Sequence, residues 1–334
     1  GDPWYLGFGF ADELAPWIAG LPAPARDAIG RIRTRLKAGD HLMSAYLSLV
    51  LSAADPRTLA DLRHLTDDDA AWAELRRRYL ATPYGADDDF TAMQAIRPDL
   101  GQALQYLEAA GFPAYWQAHA LPQVQAAIAE QGPAATRYDV IGADEALLGR
   151  RLDTDRITAF VLAYVRPHGI RITGWRFLND FKVPLKITVK TALHELLHPP
   201  FPRTGAIDAL LVKIEQDPYF QRLVKDHDPA FGYTTAPGLL EEDLVTAIDV
   251  YNAHHLGLIP DLAGYWPAHD DGIHVVAFLL VQQLERNHRA GETYPDFLLR
   301  LEREHQLRPG ALEAQFLAEP THYVVKALQP AAAQ

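Results

Sequence analysis

Residues 183–198, VPLKITVKTALHELLH, impose the tightest local constraint in the chain. Val189, Ala192, Leu193, Leu196 and Leu197 are apolar at helical spacing, so the segment is expected to become helical by about residue 187 and to bury most of its surface. The same segment carries His194, Glu195 and His198. Polar side chains on a buried helix are unfavourable unless each finds a partner, so any fold must supply partners to these three. Two prolines follow directly. Pro199 has no N–H to return to the Glu195 carbonyl, and it biases His198 away from helical dihedrals. The helix is therefore expected to contain Thr191 to Leu197, with His198 at its edge. On that irregular backbone His198 needs a neighbouring side chain to hold it.

His194 and His198 are four residues apart, which on a helix puts both imidazoles on one face, where they can clamp one metal ion. Glu195 projects about 100° round from His194, beside such an ion rather than on it. That is where a general base for an activated water is needed. Zinc suits the pattern, and the competing reading is a pair of hydrogen-bonded core histidines. A catalytic zinc usually takes a third protein ligand. The metzincin pattern is excluded, because Phe201 and Thr204 stand where its Gly and third His belong. The helix expected at GLLEEDLVTAIDVYNAHH (238–255) offers Glu241 and Glu242. Its apolar stripe is Leu240, Leu244, Ala247, Ile248 and Tyr251. Glu241 lies at the edge of that stripe, whereas Glu242 lies nearly opposite, in line with Thr246 and Asp249. A ligand should face away from the packed side, which favours Glu242 and leaves Glu241 as the alternative. The plain reading makes both solvated acids.

The first 150 residues read as mostly helical, with segments at 25–39, 41–53, 58–65, 70–81, 100–111 and 115–132 separated by Asp, Pro and Gly. The runs Asp67–Asp69 and Asp87–Asp89 lack calcium-loop spacing and read as helix N-terminal acids. After residue 150 the texture changes. ITAFVLAYV (157–165) and IRITGWRFL (170–178), separated by the turn signal RPHG, read as a hairpin. Helices are then expected at 205–216, 239–256, 272–288 and 295–304. The fold class is α+β and predominantly helical: a helical N-terminal region over 1–150 and a second domain over 151–334, with a small sheet or hairpin before the His-Glu-x-x-His helix.

On HELLH (194–198), followed after a helical insertion by a glutamate on a second helix, the chain resembles the gluzincin metallopeptidases over roughly residues 155–256. The resemblance implies a zincin-like catalytic domain and one zinc ion on His194, His198 and Glu242. It implies that Glu195 is the base acting on water, that the substrate is a peptide or protein, and that the strand around 170–178 lines the cleft and pairs with the substrate backbone. There are departures. The thermolysin-like group has Asp four residues after its ligand Glu, where this chain has Thr246. Asp249 reads first as a surface acid, with the orientation of a ligand histidine as the alternative. The Gly-x-Met-x-Asn stretch of one aminopeptidase family is absent. An oxyanion-stabilising Tyr or His is expected; His254, His255, Tyr265, His269 and His274 are candidates and none is assigned. HDDGIH (269–274) reads as a loop and helix start.

Composition narrows the alternatives. A formal net charge of −12 disfavours nucleic acid and anionic membrane surfaces. With no cysteine, thiolate metal sites and a Cys nucleophile are excluded. No apolar run reaches the length of a membrane span. No Gly-x-Ser-x-Gly elbow is present. The chain begins at Gly1, which fits a cleaved secretory signal as well as an expression remnant, so a secreted or periplasmic location is as open as a cytoplasmic one. Beside the peptidase reading stand a zinc hydrolase of another amide or ester and a non-enzymatic, peptidase-like binding module. The oligomeric state is open.

Overall fold

The computed structural model describes residues 11–39, 41–165, 169–198, 200–228, 231 and 233–329. Arg166, Pro167 and His168 of the expected RPHG turn, and Pro199, lie outside the described residues. The fold is α+β and predominantly helical, with one three-stranded sheet. It divides into two compact units, each made of two chain segments: Gly1–Ala135 with Ile157–Thr188, and Thr136–Arg156 with Val189–Gln334. The division thus differs from a single cut at residue 150. The sheet groups with the N-terminal helices, and the segment 136–156 groups with the C-terminal ones.

The first unit contains α1 (Ala11–Ala19), α2 (Ala23–Ala38), α3 (Met43–Leu51), α4 (Leu59–Asp67), α5 (Asp69–Leu80), α6 (Asp87–Ala109), α7 (Phe112–His119) and α8 (Leu121–Ala135). Spacing of three and four residues builds its core: Ile32 and Leu36 on α2 and Phe90, Met93, Ile96 and Leu100 on α6 are buried in one cluster with Trp72 and Tyr79. The aspartate runs start helices. Asp68 caps α5 by accepting from the Ala71 N–H, and Asp87, Asp88 and Asp89 form the first turn of α6. The helix expected over 115–132 is two helices that break at Ala120, with Pro122 in the first turn of the second.

The sheet order is β1 (Thr158–Leu162), β3 (Arg176–Asp180), β2 (Ile170–Ile172). The hairpin expected between 157–165 and 170–178 is not formed. β1 pairs parallel with β3, and the hairpin is β2–β3, with Ile170 opposite Leu178. Its turn is contained within the expected second strand and uses Gly174 at φ +77°, a value that disfavours other residues.

The chain passes between the units in α10 (Leu185–Glu195). This helix ends two residues before the expected Leu197. The Leu197 N–H bonds the His194 carbonyl at 3.0 Å, a tightened last turn, and His198 follows in a bend. The second unit continues with α11 (Gly205–Glu215), α12 (Pro218–Asp226), α13 (Ala236–His255), α14 (Leu262–Tyr265), α15 (Val275–Asn287), α16 (Tyr294–Arg303) and α17 (Leu312–Ala318), joined by α9 (Val140–Leu148) from its earlier segment. α13 is its central helix. α9, α11 and α15 pack on it, and it is buried on nearly every side from Leu239 to Ala253. A one-sided apolar stripe does not describe it: Asp243, Thr246 and Asp249 are as buried as Leu244 and Ile248. No helix among the described residues is long and apolar enough to cross a membrane.

Candidate metal centre

α10 presents Lys190 and His194 one turn apart, and the bend after it returns the His198 ring to His194. The two Nε2 atoms lie 3.0 Å apart. α13 supplies the third group. Glu242 Oε1 is 3.3 Å from His194 Nε2, and Oε2 is 3.8 Å from His198 Nε2. The other ring nitrogens are already engaged. His194 Nδ1 is 2.7 Å from Asp249 Oδ2, and His198 Nδ1 is 3.3 Å from Glu241 Oε1. Glu241 thus sits on the outer side of the His198 ring, half-exposed, while Glu242 is the carboxylate that joins the two Nε2 atoms. Glu195, the last residue of α10, is buried beside His194.

Chemistry favours a cation among these three atoms. With both Nδ1 positions facing carboxylates, two imidazole Nε2 atoms and a carboxylate converge, and a proton or metal has to lie between them. A tetrahedral zinc with bonds of about 2.0–2.1 Å places its ligands about 3.3 Å apart, close to the edges seen here. Charges in the surroundings agree. Burial alone would lower the His194 pKa, but Glu242, then Asp249 and Glu195, outweigh it and raise it to about 9. Burial would raise Glu242, but His194, His198 and His274 hold it below its usual range. His194, His198 and Glu242 therefore fit a zinc ion, with Asp249 and Glu241 fixing the rings.

Asp249 is no surface acid. It is fully buried, and it also accepts from Lys190 Nζ at 3.0 Å. From Lys190 a polar network runs on through the second unit. The Lys190 ammonium lies 5.6 Å from the Tyr265 ring centre, Tyr265 stacks on His269 at 5.0 Å, and His269 lies 4.9 Å from the His274 ring. His274 Nδ1 is 2.7 Å from Asp243 Oδ1, and its Nε2 is 3.2 Å from Asp270 Oδ2. Tyr233 donates to Asp270 at 3.5 Å and also bonds Glu242. Burial, followed by His274 and Lys190, lowers the His269 pKa to about 3, so its ring is neutral.

Of the oxyanion candidates, Tyr265, His269 and His274 belong to this network. His254 and His255 do not: they end α13, about 18 Å along its axis from Glu242. There His254 Nδ1 faces the Ile259 carbonyl at 2.6 Å, and His255 pairs with Glu285. Sequence reasoning missed Lys190, Tyr233 and Asp243. Lys190 was detectable as an ammonium four residues before His194 in an apolar helix. No family model, no curated protein and no solved structure matches this chain.

Proposed function

We propose that this chain is a zinc-dependent metallopeptidase of gluzincin type, with α10 and α13 as the two ligand helices of a zincin-like domain. The observation that carries the reading is the convergence of His194 Nε2, His198 Nε2 and Glu242 at tetrahedral spacing, with a carboxylate already on each Nδ1. When bound, zinc supplies Lewis acidity for a substrate carbonyl and for a water. Glu195 is the proton carrier in this reading. Its carboxylate accepts the water proton and returns it to the leaving amine. Asp249 keeps the His194 ring turned toward the metal, and Lys190 keeps Asp249 ionised without competing for the metal.

Glu195→Gln provides the test. The variant is expected to keep its zinc content and to lose about 10²–10⁴-fold in peptide hydrolysis, the usual share of a positioned base. A variant with zinc bound and full proteolysis overturns the role of Glu195. Zinc-loaded wild type that turns over only esters or non-peptide amides moves the substrate class. Zinc-loaded wild type inert on all of these supports a peptidase-like binding module.

A further inference from the structure

We propose a second transition-metal site in the second unit, formed by His269, Asp270 and His274 and separate from the His194–His198–Glu242 centre. One ligand atom from each of the three lies within 4.8 Å of the others. The composition, two imidazoles and one carboxylate, repeats that of the first centre. It suits zinc, cobalt or nickel rather than calcium or magnesium, which prefer all-oxygen shells.

Three observations show that the cluster is built. His274 is 1% exposed and is anchored at Nδ1 by fully buried Asp243, which leaves Nε2 directed at Asp270. Asp249 holds His194 in the same way, so one helix, α13, supplies the carboxylate behind a histidine in each cluster. The Nε2–Oδ2 separation of 3.2 Å in the second cluster matches a tetrahedral edge of about 3.3 Å for zinc. His269 offers a ring nitrogen to the same cluster, its ring lying 4.9 Å from that of His274.

The backbone is committed to this arrangement. Asp270, Asp271 and Gly272 have φ of 42°, 53° and 79°, three successive left-handed residues that return Asp270 toward His274. Gly272 cannot be replaced cheaply, because a Cβ there would sit 2.7 Å from the Tyr323 ring. Charge points the same way. Asp243 and Asp270 bracket His274, and the ammonium that reaches this network, Lys190, is held by Asp249. A divalent ion would balance both carboxylates. The two centres share no ligand, and Tyr233, bonded to both Glu242 and Asp270, stands between them.

The test is metal stoichiometry on the full chain. Stripped protein is loaded with Zn²⁺ or Co²⁺, freed of excess by gel filtration and analysed by mass spectrometry for metals. Wild type is expected to retain two equivalents, with His269→Ala and the near-isosteric Asp270→Asn each retaining one. His194→Ala is expected to lose the other equivalent and keep this one. Circular dichroism and thermal melts identify any variant that fails to fold, and the cobalt spectra of the folded variants then report which environment is lost. One equivalent in wild type, unchanged in His269→Ala and Asp270→Asn, overturns the second site and leaves His274 as a buried ring between two carboxylates. If those variants lose metal while His194→Ala loses none, the second site stands and the peptidase reading fails.

Discussion

Around α2, α5 and α6 the first unit buries Ile32, Leu36, Trp72, Tyr79, Phe90, Met93 and Ile96, and among its described residues Asp180 is the one buried Asp, Glu, His, Lys or Arg. Around α13 the second unit buries Asp144, Glu195, Asp243, Asp249, His274 and, further off, Asp217, His227 and Arg300. Each such group is unfavourable to bury without a partner. A chain that needed only stability would fill α13 as it fills α6. The two interiors are built differently: the first unit is held by shape and apolar area, the second by paired charges that also bring together two groups of residues able to hold a metal ion.

Lys190→Met should strike this contrast hardest. Methionine keeps the volume of the stem and removes the charge, leaving Asp249 buried with His194 alone. The expected loss is about 3–5 kcal/mol in urea unfolding at neutral pH, the usual penalty for breaking a buried pair. Burial raises the Asp249 carboxyl, but Lys190 and His194 hold it below the usual carboxylate range. Its stabilisation is therefore present above that range and fades as pH falls through it, so the gap between variant and wild type should narrow in acid. A loss below about 1 kcal/mol would make Lys190 an ordinary surface ammonium.

Next in size is the pH response of metal-free protein. With Glu242, Asp249 and Glu195 outweighing burial, His194 sits at about 9, above the ordinary histidine value. A raised histidine stabilises fully below its unfolded pKa and loses that contribution as pH rises through the folded value. Metal-free protein is expected to lose on the order of 3 kcal/mol of this stabilisation between pH 6 and pH 10, because the ring titrates at about 9 when folded and at the ordinary histidine value when unfolded. His194→Gln should remove this part of the slope, as should saturating zinc. Equal slopes in wild type and His194→Gln would show that the surrounding carboxylates do not act on this ring.

The legible parts of the molecule were those written in local pattern. Helical spacing identifies α10 and α13, whereas the preference for Glu242 over Glu241 rested on a one-sided apolar stripe that α13 does not have, although Glu242 is the one that lies beside His194 Nε2. What failed was whatever depends on distant residues. Asp249 read as a surface acid because an amphipathic helix was assumed, whereas packing by α9, α11 and α15 covers α13 nearly all round. The β segments were visible, but their pairing was not, because a turn at Gly174 inside one segment competed with the longer connection. Tyr233 left no local trace, since its partners Glu242 and Asp270 come from other parts of the chain.

The smallest expected effect tests the apolar side of the contrast. Ile96 is 1% exposed on α6, within the cluster that includes Trp72 and Phe90. Ile96→Val removes one methylene from a filled interior and should cost about 1 kcal/mol, the transfer term plus a small void. Neither residue ionises or binds metal, so this loss should be the same at pH 6 and pH 9, and the same with zinc bound as without it. Linkage makes the point sharp: proton and metal contributions enter wild type and variant equally and cancel in the difference. An Ile96→Val penalty that grows or shrinks with zinc would mean that the apolar packing around α6 changes when the ligands of α10 and α13 close on a metal. The two interiors would then be one energetic system.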